Sequence, residues 1–439
     1  MSGSSDAYVI GGSIGGLLAA SALAQHFDRV LVLELDHFPA NPRARHGVPQ
    51  GRQVHALVSR GLEALNDLLP GFTDELVDAG VATGDLMADL QWFYEGHPLP
   101  WARIGVQMMS ATRPLLEHQI RRRVGMLGNV GIVEGCLVDG LLTTQDRKRV
   151  IGVRTSGHNG IVELTGAELV IDASGRATRV PHWLAGLGFR QVPADRVQID
   201  QSYVTRQYRR KNHDLGGRLG TVSMPFPGQP YGGCVMTEEG DRCGLMLWGM
   251  AGARLGSDDA DLIAAAEQLP TGILADVVRT GAPTGTSRLM RFPVERRYRY
   301  DQTDSLPAGL IPMGDALCTI SPSHAQGMTV AAVQALALRN LLKGGEADLL
   351  GRFLAESAST IDTAWQIATG NDARFLPGYD PATDHSAILR LGASRDPIVA
   401  AALLRVVQLV DPPTRLADED ILARLRDVRP ARPEAPAQR

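Results

Sequence analysis

The chain has 439 residues, 44% of them hydrophobic and 21% charged, and a formal net charge of −4. That is length enough for two or three domains around a large core, and the charge gives no reason to expect nucleic acid or an anionic membrane as a partner. Residues 1–6 lack the basic-then-apolar character of a signal peptide, so a cytoplasmic protein is expected, and Cys136, Cys234, Cys243 and Cys318 form no close-set pair that would suggest zinc or a dithiol centre.

In chain order, Ala7-Tyr8-Val9-Ile10 reads as a strand, Gly11-Gly12-Ser13-Ile14-Gly15-Gly16 as a glycine turn and Leu17 to Ala24 as a helix. Gly11 allows the tight turn and Gly16 lets the helix pack closely on the strand. The free N–H groups of the first helical turn would then point at a pyrophosphate. Ser13 stands where the fingerprint has its second glycine; its small side chain still permits close approach, and its hydroxyl could donate to a phosphate. The second strand, Arg29 to Leu33, ends in Glu34, at the spacing of roughly 20 residues expected of a carboxylate that grips a ribose hydroxyl, and an acid there disfavours a 2′-phosphate.

A polar loop from Arg43 to His55, with Arg45 and Arg52, leads into an apolar-periodic helix ending near Leu69. Asp89 to Tyr94 followed by Glu95-Gly96-His97 reads as a hairpin. Thr112 to Met126 reads as a helix, and Val138 to Val170 as a three-stranded meander that returns to the core at Leu169-Val170-Ile171-Asp172. From Phe189 to Met290 the pattern is mostly β, with a hairpin from Gly233 to Trp248 and one helix capped by Ser257. Gly309 to Met313 is a buried strand, Gly327 to Leu342 a long apolar helix, and everything after Ala347 reads helical up to a proline- and arginine-rich tail at 429–439, expected to be disordered. The apolar run Ile398 to Val410 contains Arg405 and Gln408 and is shorter than the ~20 residues of a membrane span, so it reads as a packed helix and no transmembrane segment is expected.

A second cofactor signal follows the late strand: Gly314-Asp315-Ala316, then Pro322 to Met328 opening a helix. An aspartate at a strand end can accept hydrogen bonds from a polyol, and a helix N-terminus can stabilise negative charge on a reduced flavin. A nicotinamide enzyme has no need of this pair. With Asp172-Ala173-Ser174-Gly175-Arg176 in the middle, the three ordered motifs resemble the FAD-dependent monooxygenases related to para-hydroxybenzoate hydroxylase. The resemblance covers nearly the whole chain. The middle motif, the loop Pro49-Gln50-Gly51-Arg52 to His55 and Arg113-Pro114-Leu115-Leu116 are similar to the branch of polyene epoxidases of monensin and lasalocid biosynthesis.

This resemblance implies an α/β fold: a Rossmann-like FAD-binding domain of the glutathione-reductase type, an inserted, mostly antiparallel β substrate domain and a C-terminal helical region. The FAD-binding parts would be 1–84, 109–188 and 291–345, the substrate domain 85–108 and 189–290, and the helical region 346–428. Cofactor contacts would come from Gly11, Gly12, Ser13, Ile14, Gly15, Gly16, Glu34, Arg45, Asp172, Gly314 and Pro322, with Arg52 and Arg113 against the flavin, Asp315 on the ribityl chain and Gly327-Met328 under the pyrimidine. No metal is implied.

Reduced flavin and dioxygen form a hydroperoxide whose distal oxygen is electrophilic, so the protein's work is positioning and water exclusion. The expected activity is epoxidation or hydroxylation of an apolar or polyketide-like small molecule. Arg52, His55 and His324 are the candidates for catalytic roles, and Trp92, Tyr94, Tyr203, Met246 and Trp248 for the substrate lining. No second dinucleotide fingerprint occurs, so NAD(P)H would bind transiently or a partner flavin reductase would deliver electrons. The alternatives are a flavin-dependent reductase of an isoprenoid-type double bond and a non-catalytic flavin-binding sensor. A flavin halogenase is disfavoured because the chain has no Trp-x-Trp-x-Ile-Pro motif and no lysine before Lys148.

Overall fold

Five short runs of aliphatic residues pair into one parallel sheet in the order Leu310–Pro312, Ala167–Asp172, Asp6–Ile10, Arg29–Leu33, Val130–Val133. The computed structural model describes residues 5–157, 160–210, 215–345, 348–381 and 384–428, so the tail at 429–439 lies outside the described residues. The strand Asp6–Ile10 is buried along its whole length. Helices cover both faces of a parallel sheet, so its strands are apolar throughout instead of alternating. Helix Ile14–Leu23 is also apolar nearly all round, because it is wedged between the sheet and the helices Arg113–Gly125 and Gly327–Gly344. The expected meander is present as Leu137–Thr143, Val150–Gly157 and Gly160–Thr165, antiparallel throughout.

The second sheet is antiparallel apart from one pairing. Its centre is the strand Ala194–Arg209, flanked by Arg242–Gly249 and by Arg288–Tyr298. Strands Tyr231–Glu238 and Gly220–Ser223 extend it, and the hairpin Leu90–Tyr94/His97–Pro98 joins in parallel to Gly220–Ser223. That hairpin turns on Glu95 and Gly96, both at positive φ (49° and 78°), the conformation a two-residue hairpin turn requires. Side chains alternate across the sheet with the strand period of two. Val204, Val235, Leu245 and Leu247 point into one core with the helices Asp259–Ala266 and Ile273–Thr280, while Tyr203, Cys234, Met236, Met246 and Trp248 point to the other face.

Two local expectations change here. A second helix, Ile273–Thr280, follows the expected one, because that face of the sheet needs more cover than eight residues give. The cap of Asp259–Ala266 is Asp258, whose carboxylate accepts from the Asp261 N–H at 2.9 Å, and not Ser257. The C-terminal helices Leu349–Ala373, His385–Ala393, Pro397–Val407 and Glu419–Leu425 follow as read. Pro397–Val407 buries Val399, Ala400, Leu403 and Leu404 against the second sheet's inner face, and among the described residues no helix is long and apolar enough to cross a membrane.

Candidate functional site

The glycine turn is closed by backbone contacts that no side chain could share. Gly11 has φ +95°, and a Cβ there would lie 2.6 Å from the Ala173 carbonyl oxygen; at Gly16 it would lie 1.8 Å from the Gly11 carbonyl oxygen. Glu34, at the end of the second strand, accepts from the Gly12 N–H at 2.7 Å and from the Asp36 N–H at 2.9 Å, and lies 3.2 Å from Arg45. Arg45 is buried and bonds Glu117 at 2.6 Å. Burial opposes its charge, yet Glu117 and Glu34 hold its pKa above the ordinary value.

Ser13 does not keep its hydroxyl free for a phosphate. It donates to Glu117 at 2.8 Å and accepts from Arg113 at 3.0 Å, so the serine that replaces a glycine ties the turn to the helix Arg113–Gly125. That helix starts at the site because Thr112 caps it and Pro114 follows in its first turn. Glu239, at the tip of the hairpin Tyr231–Glu238/Arg242–Gly249, accepts from the Thr112 N–H at 3.0 Å and from its hydroxyl at 2.5 Å. The second sheet therefore sets where Arg113 stands.

The late motif meets the early one directly. The Cβ positions of Gly15 and Gly314 lie 3.8 and 3.9 Å from the same Ala331 side chain on helix Gly327–Gly344, and Asp315 Oδ1 lies 3.7 Å from the Cβ position of Gly327. Gly314, itself at φ +59°, donates its N–H to Gln334 at 2.7 Å. Ahead of the helix, Ser321 caps the turn Pro322–His324, Ala325 takes a left-handed conformation (φ 55°), and Gly327 and Met328 form the first helical turn.

An FAD molecule fits the donors and acceptors these segments leave over. Arg45 Nη2 and Arg113 Nε are buried without an acceptor among the described residues, beside the glycine turn. The Asp315 carboxylate makes no hydrogen bond among the described residues, and its pKa is raised by burial although Arg113 and Arg176 oppose that shift. An anionic pyrophosphate answers the first two, and a polyol hydroxyl the third.

The remaining expected residues divide. Asp172 is wholly buried and spends both oxygens on its own turn, accepting from Ser174 (2.5 Å) and Thr178 (2.5 Å), so it shapes the loop that covers Gly11. His55 lies near Arg113 with Nδ1 on the Gln53 carbonyl at 2.9 Å; burial and then the Arg113 charge push its pKa down to about 3, so it stays neutral. Arg52, at the end of the short turn Pro49–Arg52, is exposed and makes no hydrogen bond among the described residues. His324 is buried and bonds Asp372 at 3.3 Å.

Between the two sheets' contributions lies an apolar cavity enclosing about 770 Å³ free of protein atoms, part of it open to solvent. Trp92, Tyr94, Met246 and Trp248 line it as expected, with Cys234 and Met236, and His324 and Asn371 are among its few polar groups. Tyr203 does not line it: the side chain is fully buried in the sheet's own packing. Burial pushes the Tyr94 hydroxyl up to about 12, so the lining carries no charge from it. Tyr94, Trp248, His324 and Asn371 also line a smaller adjoining pocket together with buried Arg374 and Arg390, which bind Glu95 at 2.8 Å each and Asp384 at 3.0 Å each, with Arg390 also on Asn371 at 3.1 Å. Sequence reasoning missed Glu117, Glu239 and these arginines. Glu117 alone had a local signal, since it lies one helical turn from Arg113.

No family model matches the chain. Protein Rv3254 of Mycobacterium tuberculosis (strain ATCC 25618 / H37Rv) is 32% identical over 426 residues, 92% of this chain and 90% of that protein. Among solved structures, PqsL, a probable FAD-dependent monooxygenase from Pseudomonas aeruginosa, is similar with a TM-score of 0.65 at 17% identity, covering 84% of this chain and 98% of its own. The p-nitrophenol 4-monooxygenase PnpA from Pseudomonas putida DLL-E4 gives 0.65 at 17% identity over 94% and 100%. The flavin-dependent brominase Bmp2, as a triple mutant, gives 0.65 at 14% identity over 95% and 97%. The fold is that of FAD-dependent monooxygenases.

Proposed function

The chain belongs to the family of Mycobacterium tuberculosis protein Rv3254, and from that premise we propose that it is an FAD-dependent monooxygenase, an oxidoreductase that places one atom of dioxygen on an apolar or polyketide-like small molecule. The observation that carries the reading is the meeting of the early glycine turn and the Gly314-Asp315 turn on one helix, Gly327–Gly344, beside two buried guanidinium N–H groups and one carboxylate that make no hydrogen bond among the described residues. Bound there, flavin supplies the activation of oxygen. The chain's own residues do the rest.

Gly11, Gly12, Ser13, Ile14, Gly15 and Gly16 would hold the pyrophosphate through their backbone, with Arg45 and Arg113 behind them, and Glu34 would take the ribose. Asp315 takes the ribityl hydroxyls, and the first amides of Gly327 and Met328 face the pyrimidine edge. Pro322 fixes the turn ahead of them. The apolar lining from Trp92 to Trp248 favours a hydrophobic substrate and excludes water. The likeness of the loop from Pro49 to His55 to polyene epoxidases supports epoxidation over ring hydroxylation. Electrons come from NAD(P)H bound transiently or from a partner reductase.

The test is titration of the purified chain with FAD, followed by turnover of a linear polyene probe with reduced flavin under ¹⁸O₂. Tight flavin binding and one ¹⁸O in the product are expected. A chain that does not bind flavin, or a product without label, overturns the proposal; turnover under strict anaerobiosis would instead mark a flavin-dependent reductase.

A further inference from the structure

Three titratable side chains, of which only His324 lies in a cofactor motif, meet beside the cavity. Glu295 belongs to the strand Arg288–Tyr298, His324 to the turn ahead of helix Gly327–Gly344, and Asp372 to the last turn of helix Leu349–Ala373. One nitrogen or oxygen of each lies within 4.8 Å of the others, and all three are buried. His324 Nε2 is 3.3 Å from Asp372 Oδ1, and Glu295 accepts from the Ser321 N–H at 2.9 Å. The second oxygens, Glu295 Oε2 and Asp372 Oδ2, find no hydrogen-bond partner among the described residues.

Two carboxyl groups held within 4.8 Å in one buried cluster, with no donor for their second oxygens, are stabilised by a proton held between them. The placement of Asp372 adds to this, because a carboxylate in the last turn of a long helix faces the negative end of its dipole. His324 Nδ1 has no hydrogen-bond partner among the described residues, and the ring lines the cavity. We propose that Glu295, Asp372 and His324 are one proton-holding unit, in which a proton shared by two carboxyl groups backs an imidazole that delivers to the substrate cavity. The inference deepens the monooxygenase reading and concerns the same cavity.

The charge count supports it. A shared-proton dyad carries −1 and an imidazolium +1, so the loaded unit is neutral, as burial demands. Burial pushes the Glu295 pKa up, with Asp372 adding to it; burial works against the charged form of His324, but Asp372 and Glu295 hold its pKa above the ordinary value. The other ionisable groups around the unit are already matched. Arg374 and Arg390 are bound by Glu95 and Asp384, Arg297 by Asp362, and burial pushes the Cys318 thiol up to about 12.

In delivery, the N–H bond at His324 Nδ1 breaks and an O–H bond forms on a basic oxygen in the cavity. The neutral ring keeps its Nε2 proton toward Asp372, and the dyad proton stays between the two carboxyl groups, so the ring is held with Nδ1 facing the cavity. No electrons move, and the unit goes from neutral to −1 until solvent returns a proton to Nδ1. His324 is the catalytic residue; Glu295 and Asp372 are positioning residues.

The experiment is infrared spectroscopy of the full chain between pH 5 and 9, in H₂O and D₂O, without flavin. It is paired with ¹⁵N-histidine NMR, in which the His324 signal is assigned by loss in His324→Gln. A protonated-carboxyl band that shifts in D₂O is expected in the wild type at pH 7, and its difference against Glu295→Gln and against Asp372→Asn should show the same loss. The His324 acid constant should rise at least tenfold in Asp372→Asn. Absence of the band in the wild type, or its survival in both variants, overturns the proposal. Titration with Zn²⁺ or Mn²⁺ gives the other overturning result, stoichiometric binding that removes the band and depends on Glu295, which would make the triad a metal site. If the variants do not fold, the wild-type band, its D₂O shift and the His324 titration decide alone. None of these readouts requires flavin to bind, so they stand apart from the test of the proposed activity.

Discussion

Alanine substitution at three glycines of one turn should give three different results, because the space at each is different. At Gly16 the new Cβ would lie 1.8 Å from the Gly11 carbonyl oxygen, and both partners are backbone, so the helix Ile14–Leu23 would have to move off its strand by more than an ångström. That places Gly16→Ala at or beyond the upper end of the roughly 1–3 kcal/mol typical of overpacking. At Gly11 the cost combines a left-handed φ of +95°, about 1–2 kcal/mol for a residue with a side chain, with a contact of 2.6 Å to Ala173. At Gly15 the only neighbour is the Ala331 side chain at 3.8 Å, an ordinary contact in a helix. Gly15→Ala should therefore be neutral or stabilising by up to about 1 kcal/mol. Urea denaturation of the flavin-free chains ranks them without reference to any ligand. Equal stabilities for Gly15→Ala and Gly16→Ala would refute the packing argument.

Three further outcomes follow from the site. Asp315→Ala should weaken FAD binding at least tenfold, about 1.4 kcal/mol, in a fluorescence titration, yet leave the melting temperature of the flavin-free chain unchanged or higher, because the carboxylate has no donor to lose. Glu117→Gln should cost about 1–3 kcal/mol in chemical denaturation, since it weakens the bonds to both Ser13 and Arg45 while Glu34 and Asp36 still compensate the arginine. Burial, with Glu239 adding to it, raises Glu238 from 4.5 to about 7. The fold thus favours its neutral form, and its contribution to stability is complete below pH 4.5 and is lost as pH rises through 7, up to roughly 3 kcal/mol. Glu238→Gln should flatten that decline between pH 5 and 8 in thermal melts, and an unchanged slope would contradict it.

The nucleotide sheet was legible because its signals are local. Strand Asp6–Ile10, the turn after it and Glu34 all lie within thirty-four positions, and the late turn Gly314-Asp315 carries its own signature. The hairpins at Glu95 and Glu239 were also readable from turn residues. What could not be read was which side of the second sheet each strand residue faces toward a ligand. Period-two alternation puts Tyr203 and Met246 on the same face, but only the distant chain that packs above them decides that Met246 lines the cavity and Tyr203 does not. The same holds for Ser13, whose hydroxyl meets Glu117 across 104 positions, and for His324, whose partners arrive from two other elements. A serine or histidine in a motif states what it can do; its partner is set by the topology.

The clamp of Arg374 and Arg390 on Glu95 has a consequence for how this architecture can diversify. It fastens the last quarter of the chain to the tip of an early hairpin, while the same stretch adds Asn371, Val407 and Gln408 to a lining drawn mostly from residues 54–94 and 222–248. The last quarter of the chain also reaches the Pro322–Met328 segment, because Asp372 bonds His324 and the Val407 carbonyl accepts from Gln326. Exchange of residues 349–428 between relatives should therefore change only one part of the cavity lining and at the same time shift the setting of His324, so the two effects are inherited together.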